Sequence, residues 1–353
     1  MKILKISILS IFFTLISCSK DEPIPERETP VNAAFVSPTI GGANEQNQVY
    51  IDLSSNTQTP IQRDSWDLRF YNGSTFHVSL NTSVFMATKN LEITDLSSVT
   101  TATVQDLFPI VATGTFDPNN VEFVDDFDGD IENTAIAAIS ENDEDNKVYL
   151  LNLGYEVGTD TPAAGSTAVA GAHRGWKKIR ILQRNDNYLL QYANLDDSDY
   201  QEITISKNNT HHFKHFSFNT EAEVNVSPEK QNWDFCFTIF TNEISGYGTY
   251  GYADYVLTNN LQNVAAYQVS TTDFDYDNFT LSDIVQTEFA TTQRAIGSSW
   301  RIGGGPGVSP HTNPDVFYVL QDAEGIYYKI KFLTLTNDAG ERGNTQFQYT
   351  QIE

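Results

Sequence analysis

Short runs in which apolar and aromatic residues alternate with polar ones recur along the whole chain. Gln48-Val-Tyr-Ile-Asp-Leu53 alternates cleanly, residues 65–71 are followed by 76–80 and 84–87, and Tyr188-Leu-Leu-Gln-Tyr192 is followed by residues 202–205. Near the C-terminus, Asp315-Val-Phe-Tyr-Val-Leu-Gln-Asp322, residues 325–333 and residues 346–352 are separated by turns carrying Asp322 with Gly325 and Asn337 with Gly340. Apolar runs of this length, punctuated by Gly, Asp and Asn, predict antiparallel strands joined in meanders. Arg184-Asn-Asp-Asn187 is a hairpin turn of the same kind. Only residues 130–140 and 281–292 read as helical, and both are short. The pattern predicts an all-β protein with long loops and few short helices, to which the 17 Tyr and 22 Phe contribute ring surfaces that pack well on pleated sheets.

The pattern occurs twice. Trp66-Asp-Leu-Arg-Phe70 matches Trp233-Asp-Phe-Cys-Phe237, and Val148-Tyr-Leu-Leu-Asn152 matches Val316-Phe-Tyr-Val-Leu320 at nearly the same spacing. Trp176-Lys-Lys-Ile-Arg-Ile181 then parallels Tyr328-Lys-Ile-Lys-Phe332, and Tyr200-Gln-Glu-Ile-Thr204 parallels Phe347-Gln-Tyr-Thr350. Four matches in one order predict a tandem duplication, with a first module over 46–222 and a second over 223–353. Each Trp is expected to pack against the Trp/Tyr-Lys strand of its own module.

The Trp-Asp-x-x-Phe strand, followed much later by a strand ending in Tyr-Lys-x-aromatic, resembles the HmuY family, heme-binding lipoproteins of Bacteroidetes-type bacteria. The likeness covers roughly residues 46–353 and is most specific in residues 315–343. It implies tandem or fused antiparallel β domains and a non-enzymatic lipoprotein. Such a protein takes heme from solution or from a heme-carrying protein and hands it to an outer-membrane receptor. A surface scaffold or glycan-binding lipoprotein of the same fold, without an iron site, is the alternative. The family's axial ligands sit on loops that do not align with these motifs, so the resemblance itself assigns none here.

The N-terminus reads as an export signal. A basic start, Met1-Lys-Ile-Leu-Lys5, precedes an apolar run at residues 6–16 that is too short to span a bilayer, and Leu15-Ile-Ser-Cys18 fits a lipobox. Cleavage after residue 17 would leave Cys18 as a lipidated first residue, with several acyl chains for stable anchoring. Residues 18–45, opening with Ser19-Lys-Asp-Glu22 and rich in Pro and polar residues, read as a flexible tether. The expected location is the outer membrane, exposed at the cell surface.

Charge and cysteine usage narrow the function. There are 46 acidic and 21 basic residues, for a net charge of −25, which disfavours nucleic acid and anionic lipid surfaces as partners. The two cysteines exclude a Cys-rich metal site, and Cys236 reads as a small buried hydrophobe. No G-x-S-x-G elbow, HExxH or Cys–His pairing is present, so no enzyme class is indicated.

Heme needs apolar and aromatic walls and an axial donor, usually His or Met. His311, in Pro310-His-Thr-Asn-Pro314, stands on a Gly-rich loop and is either a ligand or an exposed loop residue. His77 and Met86 occur in neighbouring strands and are either a pair across them or one surface and one core residue. His211-His212-Phe-Lys-His215 is either a metal-binding face or a solvated hairpin tip. Gly246-Tyr-Gly-Thr-Tyr-Gly-Tyr252 alternates Gly with Tyr247, Tyr250 and Tyr252, a surface suited to a porphyrin or a sugar ring. Loops 154–174 and 303–314 are the expected site builders. Asp126, Asp128 and Asp130 form a dense acidic loop in which Gly129 comes too early for an EF-hand, leaving a structural calcium loop or a solvated turn.

Overall fold

The computed structural model describes residues 32–305 and 307–353. Residues 1–31, and with them the expected signal segment and Cys18, lie outside the described residues. Strands dominate, and among the described residues the single α-helix is Thr101–Val104. The chain opens with β1 (Ala33–Val36), β2 (Asn47–Asp52) and β3 (Thr57–Gln62). It continues through β4 (Leu68–Tyr71), β5 (Val78–Leu80), β6 (Ala87–Asn90), β7 (Val148–Asn152), β8 (Tyr155–Val157), β9 (Ala170–His173), β10 (Trp176–Arg184) and β11 (Asn187–Ala193). Next come β12 (Gln201–Ile205), β13 (Phe213–Ser217), β14 (Ala222–Val224), β15 (Phe235–Ile244), β16 (Gly248–Thr258) and β17 (Ala265–Ser270). The last strands are β18 (Arg301–Ile302), β19 (His311–Thr312), β20 (Val316–Gln321), β21 (Tyr327–Thr336) and β22 (Arg342–Gln351).

Four antiparallel sheets carry the fold. In the first half a five-stranded sheet, β12-β11-β10-β7-β6, packs on a four-stranded one, β14-β13-β4-β5. In the second half β1-β22-β21-β20-β17 packs on β3-β2-β15-β16. The two strand orders correspond position by position. The last three positions of the second half are filled from the N-terminus, by β1, β2 and β3. The sheets therefore cut the chain differently from modules over 46–222 and 223–353: β2 pairs with β15, and β1 with β22. Residues 33–45, expected within the tether, belong to the fold, because Val36, Ile40 and Glu45 are buried there.

The same polar bonds fix both halves. The Asp67 carboxylate accepts from Phe218 N–H at 2.6 Å, and Asp234 from Leu53 N–H at 2.7 Å. Asn81 donates to the Arg63 and Trp66 carbonyls at 2.7 and 2.8 Å, and Asn259 to those of Lys230 and Trp233 at 2.9 Å each. Lys178 on β10 caps the carbonyls of Val99, Leu195 and Asp197 at 2.8, 3.0 and 2.8 Å. Lys329 on β21 caps those of Tyr276, Asp277 and Phe279 at 2.7, 3.2 and 3.2 Å. Buried carbonyls need such partners, and one ammonium satisfies three at each place.

Each half has its own apolar core between its sheets, Leu68, Phe70, Ile179 and Leu190 in the first and Phe235, Phe237, Tyr328 and Ile330 in the second. A smaller cluster of Tyr50, Trp66, Val226 and Cys236, with Trp233 against it, joins the four-stranded sheets. The tryptophans thus do not rest on the Trp/Tyr-Lys strands. Trp66 packs edge-to-face on His215 at 4.9 Å and Trp233 on Tyr50 at 5.1 Å, at matching places on β13 and β2. Neither expected helix forms. In residues 130–140 the Asp126 and Asp130 side chains capture the N–H groups of Asp130 and Glu132, which competes with helical bonding. Residues 281–292 hold only two 3-10 turns, Leu281–Asp283 and Gln286–Glu288.

Candidate functional site

The site is built on the far end of the second half, where β15 and β16 run out to their turn. β16 is an edge strand with β15 on one side only. Successive side chains alternate across a strand, so Tyr250 and Tyr252 share a face, with rings edge-to-face at 5.8 Å. Phe116 from the first half lies against Tyr250 at 6.3 Å, and Tyr247, Tyr250 and Phe116 are exposed. Gly251 faces the other way. A Cβ there would collide with the Phe85 ring, so only glycine lets this stretch lie down on the first half.

The chain returns along the open edge of β16. Val256 and Gly297 exchange two backbone bonds of 3.0 Å, Trp300 Nε1 donates to the Asp254 carbonyl at 3.1 Å, and Arg301 reaches the Ala253 carbonyl. The β18–β19 hairpin then projects from this root, with Ile302 opposite His311. Ile302 and Val308 are exposed apolar residues on the hairpin, and His311 is exposed beside them. His311 Nδ1 donates to the Ser309 carbonyl at 2.9 Å. A carbonyl can only accept, so this nitrogen carries a proton, and in the neutral ring the lone pair is then on Nε2. An imidazole fixed this way by a backbone carbonyl is the form that ligates metals. Loop 154–174 joins the hairpin: Gly165 N–H donates to Gly340 at 2.8 Å, and Gly165 packs beside the ring of Pro310.

A buried acid–base network roots the hairpin, and sequence reading missed it. Asp254 receives Arg342 in a close ion pair and Arg301 Nε at 3.5 Å, while Arg342 also donates to the Gly303 carbonyl at 3.3 Å. The Glu45 carboxylate accepts from Asp254 N–H at 3.0 and 3.1 Å. Burial, and then the neighbouring Asp254 charge, holds the Glu45 carboxyl well above the usual carboxylate range. The only sequence signals were an Asp inside a Tyr-rich strand and an Arg opening a Gly-rich loop.

The other sequence candidates lie elsewhere. Met86 is wholly buried in the first-half core, and His77 is buried beside Tyr188, whose hydroxyl takes its N–H at 3.1 Å. Neither opens on solvent as a ligand. The His211–His215 stretch does not form one ligand face: His215 is buried against Trp66, while His211 Nδ1 is bonded to the Thr210 hydroxyl at 2.8 Å. His173, which the sequence did not single out, engages both ring nitrogens, with Asn152 at 2.9 Å and Gly175 N–H at 3.1 Å. Asp126 and Asp130 are occupied by turn bonds and Asp128 by Arg294, and among the described residues no three His, Cys, Asp or Glu groups assemble as a metal site. The acidic loop is thus built as a hydrogen-bonded turn.

The model of one protein family, HmuY protein, matches residues 44–349. The chain belongs to the HmuY family. No curated protein matches it. HmuY proteins form a heme-binding, uptake-related family that is generally extracellular or surface-associated and not known for enzymatic activity. Among the described residues no helix is long and apolar enough to cross a membrane.

Proposed function

We propose that the chain captures heme at the cell surface through the His311 hairpin and the tyrosine edge of β16, and hands it to an outer-membrane uptake receptor. The observation that carries this reading is the state of His311: exposed, with its lone pair on Nε2, and flanked by Ile302 and Val308 on a hairpin rooted beside Tyr252. This donor set fits heme, since an imidazole nitrogen and adjoining apolar and aromatic surface are what a porphyrin iron site uses. The bound group supplies an iron that the imidazole ligates. The protein's part is to hold the imidazole in one tautomer, to cover porphyrin surface with Tyr250, Tyr252, Ile302 and Val308, and to fix the hairpin through Asp254, Arg301 and Arg342. A lipid-anchored Cys18 would place the site at the outer surface. Acidification should weaken binding, because protons compete with iron for Nε2.

The test is hemin titration of the soluble 19–353 fragment, followed at the Soret band. Saturable perturbation is expected; its absence in the wild-type chain removes the heme reading. A second reading, glycan binding or a scaffold role without iron, draws on the exposed row of Phe116, Tyr250 and Tyr247, since stacked rings also suit sugars. Saturable oligosaccharide binding with no Soret change would favour it.

A further inference from the structure

At the junction of the two halves lies a cavity of about 80 Å³ bordered by Trp66, Arg69, His212, His215, Trp233 and Cys236, and no residue of the His311 hairpin lines it. It arises from strand alternation. Leu68 and Phe70 point into the first-half core and Arg69 between them faces the junction, just as Phe235 and Phe237 point inward and Cys236 faces the junction. Arg69 and Cys236 are the fourth residues of the two Trp-Asp motifs.

Two donors bordering this cavity have no hydrogen-bond partner, Arg69 Nε and Trp233 Nε1, while the His212 ring has the Asn259 side chain beside it. Buried polar atoms are nearly always partnered, and two orphan donors at one place need an explanation. Arg69 and Trp233 can only donate, so the cavity asks for an acceptor. Asp125 supports the Arg69 charge electrostatically, yet Arg69 Nε has no hydrogen-bond partner. Both oxygens of Asp125 are taken by the N–H groups of Leu80 and Ala135 at 2.7 and 3.0 Å, and burial raises its pKa to about 6. Asp126 and Asp130 at the rim hold the backbone N–H groups of Asp130 and Glu132, each at 3.0 Å. His212 stays neutral, pushed down to about 4 by burial. Arg69 is thus a guanidinium stacked over Phe213, 4.4 Å from the ring centre, bordering a space that Trp233 also borders with an unpartnered donor.

We propose that this cavity binds a small oxyanion through Arg69, with the Trp233 indole N–H as second donor. One water needs only about 10–15 Å³ of such space, so the cavity has room for a short carboxylate or inorganic phosphate. Arg suits both, because its fork of N–H groups matches carboxylate and phosphate oxygens. Arg69 belongs to the first half and Trp233 to the second, so the anion would tie the halves together.

The experiment uses the full chain, titrated with sodium acetate and, separately, sodium phosphate, against sodium chloride at matched ionic strength. Tryptophan fluorescence and thermal midpoint are both read. A saturable fluorescence change and a rise in midpoint with acetate or phosphate but not chloride are expected, and the more effective of the two identifies the oxyanion. Arg69→Gln should weaken binding at least tenfold, and Trp233→Phe several-fold by the thermal readout. An effect equal to that of chloride, or unchanged affinity in both variants, overturns the proposal. If Arg69→Gln does not fold, Trp233→Phe decides, since it keeps the charge and the ring and removes only the donor. The outcome does not depend on heme binding, which is read at a different wavelength and a different residue.

Discussion

The two halves share a scaffold and differ in what they hang on it. Asp67 and Asp234, Asn81 and Asn259, and Lys178 and Lys329 make the same bonds at the same places in the strand order. Yet β4 and β5 have four and three residues, whereas their counterparts β15 and β16 have ten and eleven. The extra length carries the second half's hairpin past the sheet and leaves an open edge, on which the His311 hairpin is seated. The lesson is that polar bonds buried under a sheet define the fold, and the strand overhang beyond them is free to become a site.

The largest expected effects test the shared scaffold. Lys178→Met and Lys329→Met each strand three carbonyls, and each should cost at least about 3 kcal/mol in denaturant unfolding, at about 1–3 kcal/mol per unsatisfied group. Losses that differ by more than about 2 kcal/mol would break the equivalence, since variation of that size exceeds ordinary context effects.

Next come the two motif aspartates, where the halves part. Asp67 is ion-paired with Arg174 at 2.6 Å, with both side chains buried, and among the described residues Asp234 has no such partner. Asp67→Asn leaves a buried arginine unpaired and should cost roughly 3 kcal/mol. Asp234→Asn keeps an acceptor for Leu53 N–H and should cost about 1 kcal/mol or less. Burial holds the Asp234 carboxyl well above its ordinary range, so the folded state keeps this proton more tightly than the unfolded one. The stability it contributes is present below about pH 4 and is lost as pH rises through the folded pKa. Asp234→Asn should remove that loss and flatten the profile on the alkaline side.

A smaller effect separates the two tryptophan contacts. His215 under Trp66 is held well below the usual histidine range by burial, and then by the nearby Arg69 charge. Its neutral form is the folded one, so its contribution is present above about pH 6.5, where the unfolded histidine is also neutral, and declines as pH falls. Tyr50 under Trp233 has no such transition. Thermal scans should show wild type losing up to about 1.4 kcal/mol per pH unit from this residue below pH 6.5, and His215→Phe should lose less. An acid limb unchanged in that variant would mean that another group sets it.

How far the sequence disclosed this molecule follows the range of its interactions. Strands such as Val316–Gln321 and Tyr327–Thr336 were legible because alternation and turn residues are local. The docking of β1, β2 and β3 onto the second half was not, because Val36 meets Phe347 across nearly the whole chain. The helical reading of residues 130–140 failed where Asp side chains took the backbone N–H groups. At the proposed site, His311, Tyr250 and Tyr252 could be named from residue type alone. The root of Glu45, Asp254, Arg301 and Arg342 was not, since it joins four distant segments, and the burial of Met86 appears only once the first-half core is assembled.

The central claim is that the overhanging loops of the second half, not the histidines of the first, hold the ligand. Hemin titration of His311→Ala beside His77→Ala tests it most directly. His311 is exposed, so its replacement should leave stability within about 0.5 kcal/mol of wild type. The account predicts a shifted Soret band and weaker hemin affinity for His311→Ala, with wild-type binding for His77→Ala; wild-type binding by His311→Ala, together with loss in His77→Ala, would contradict it.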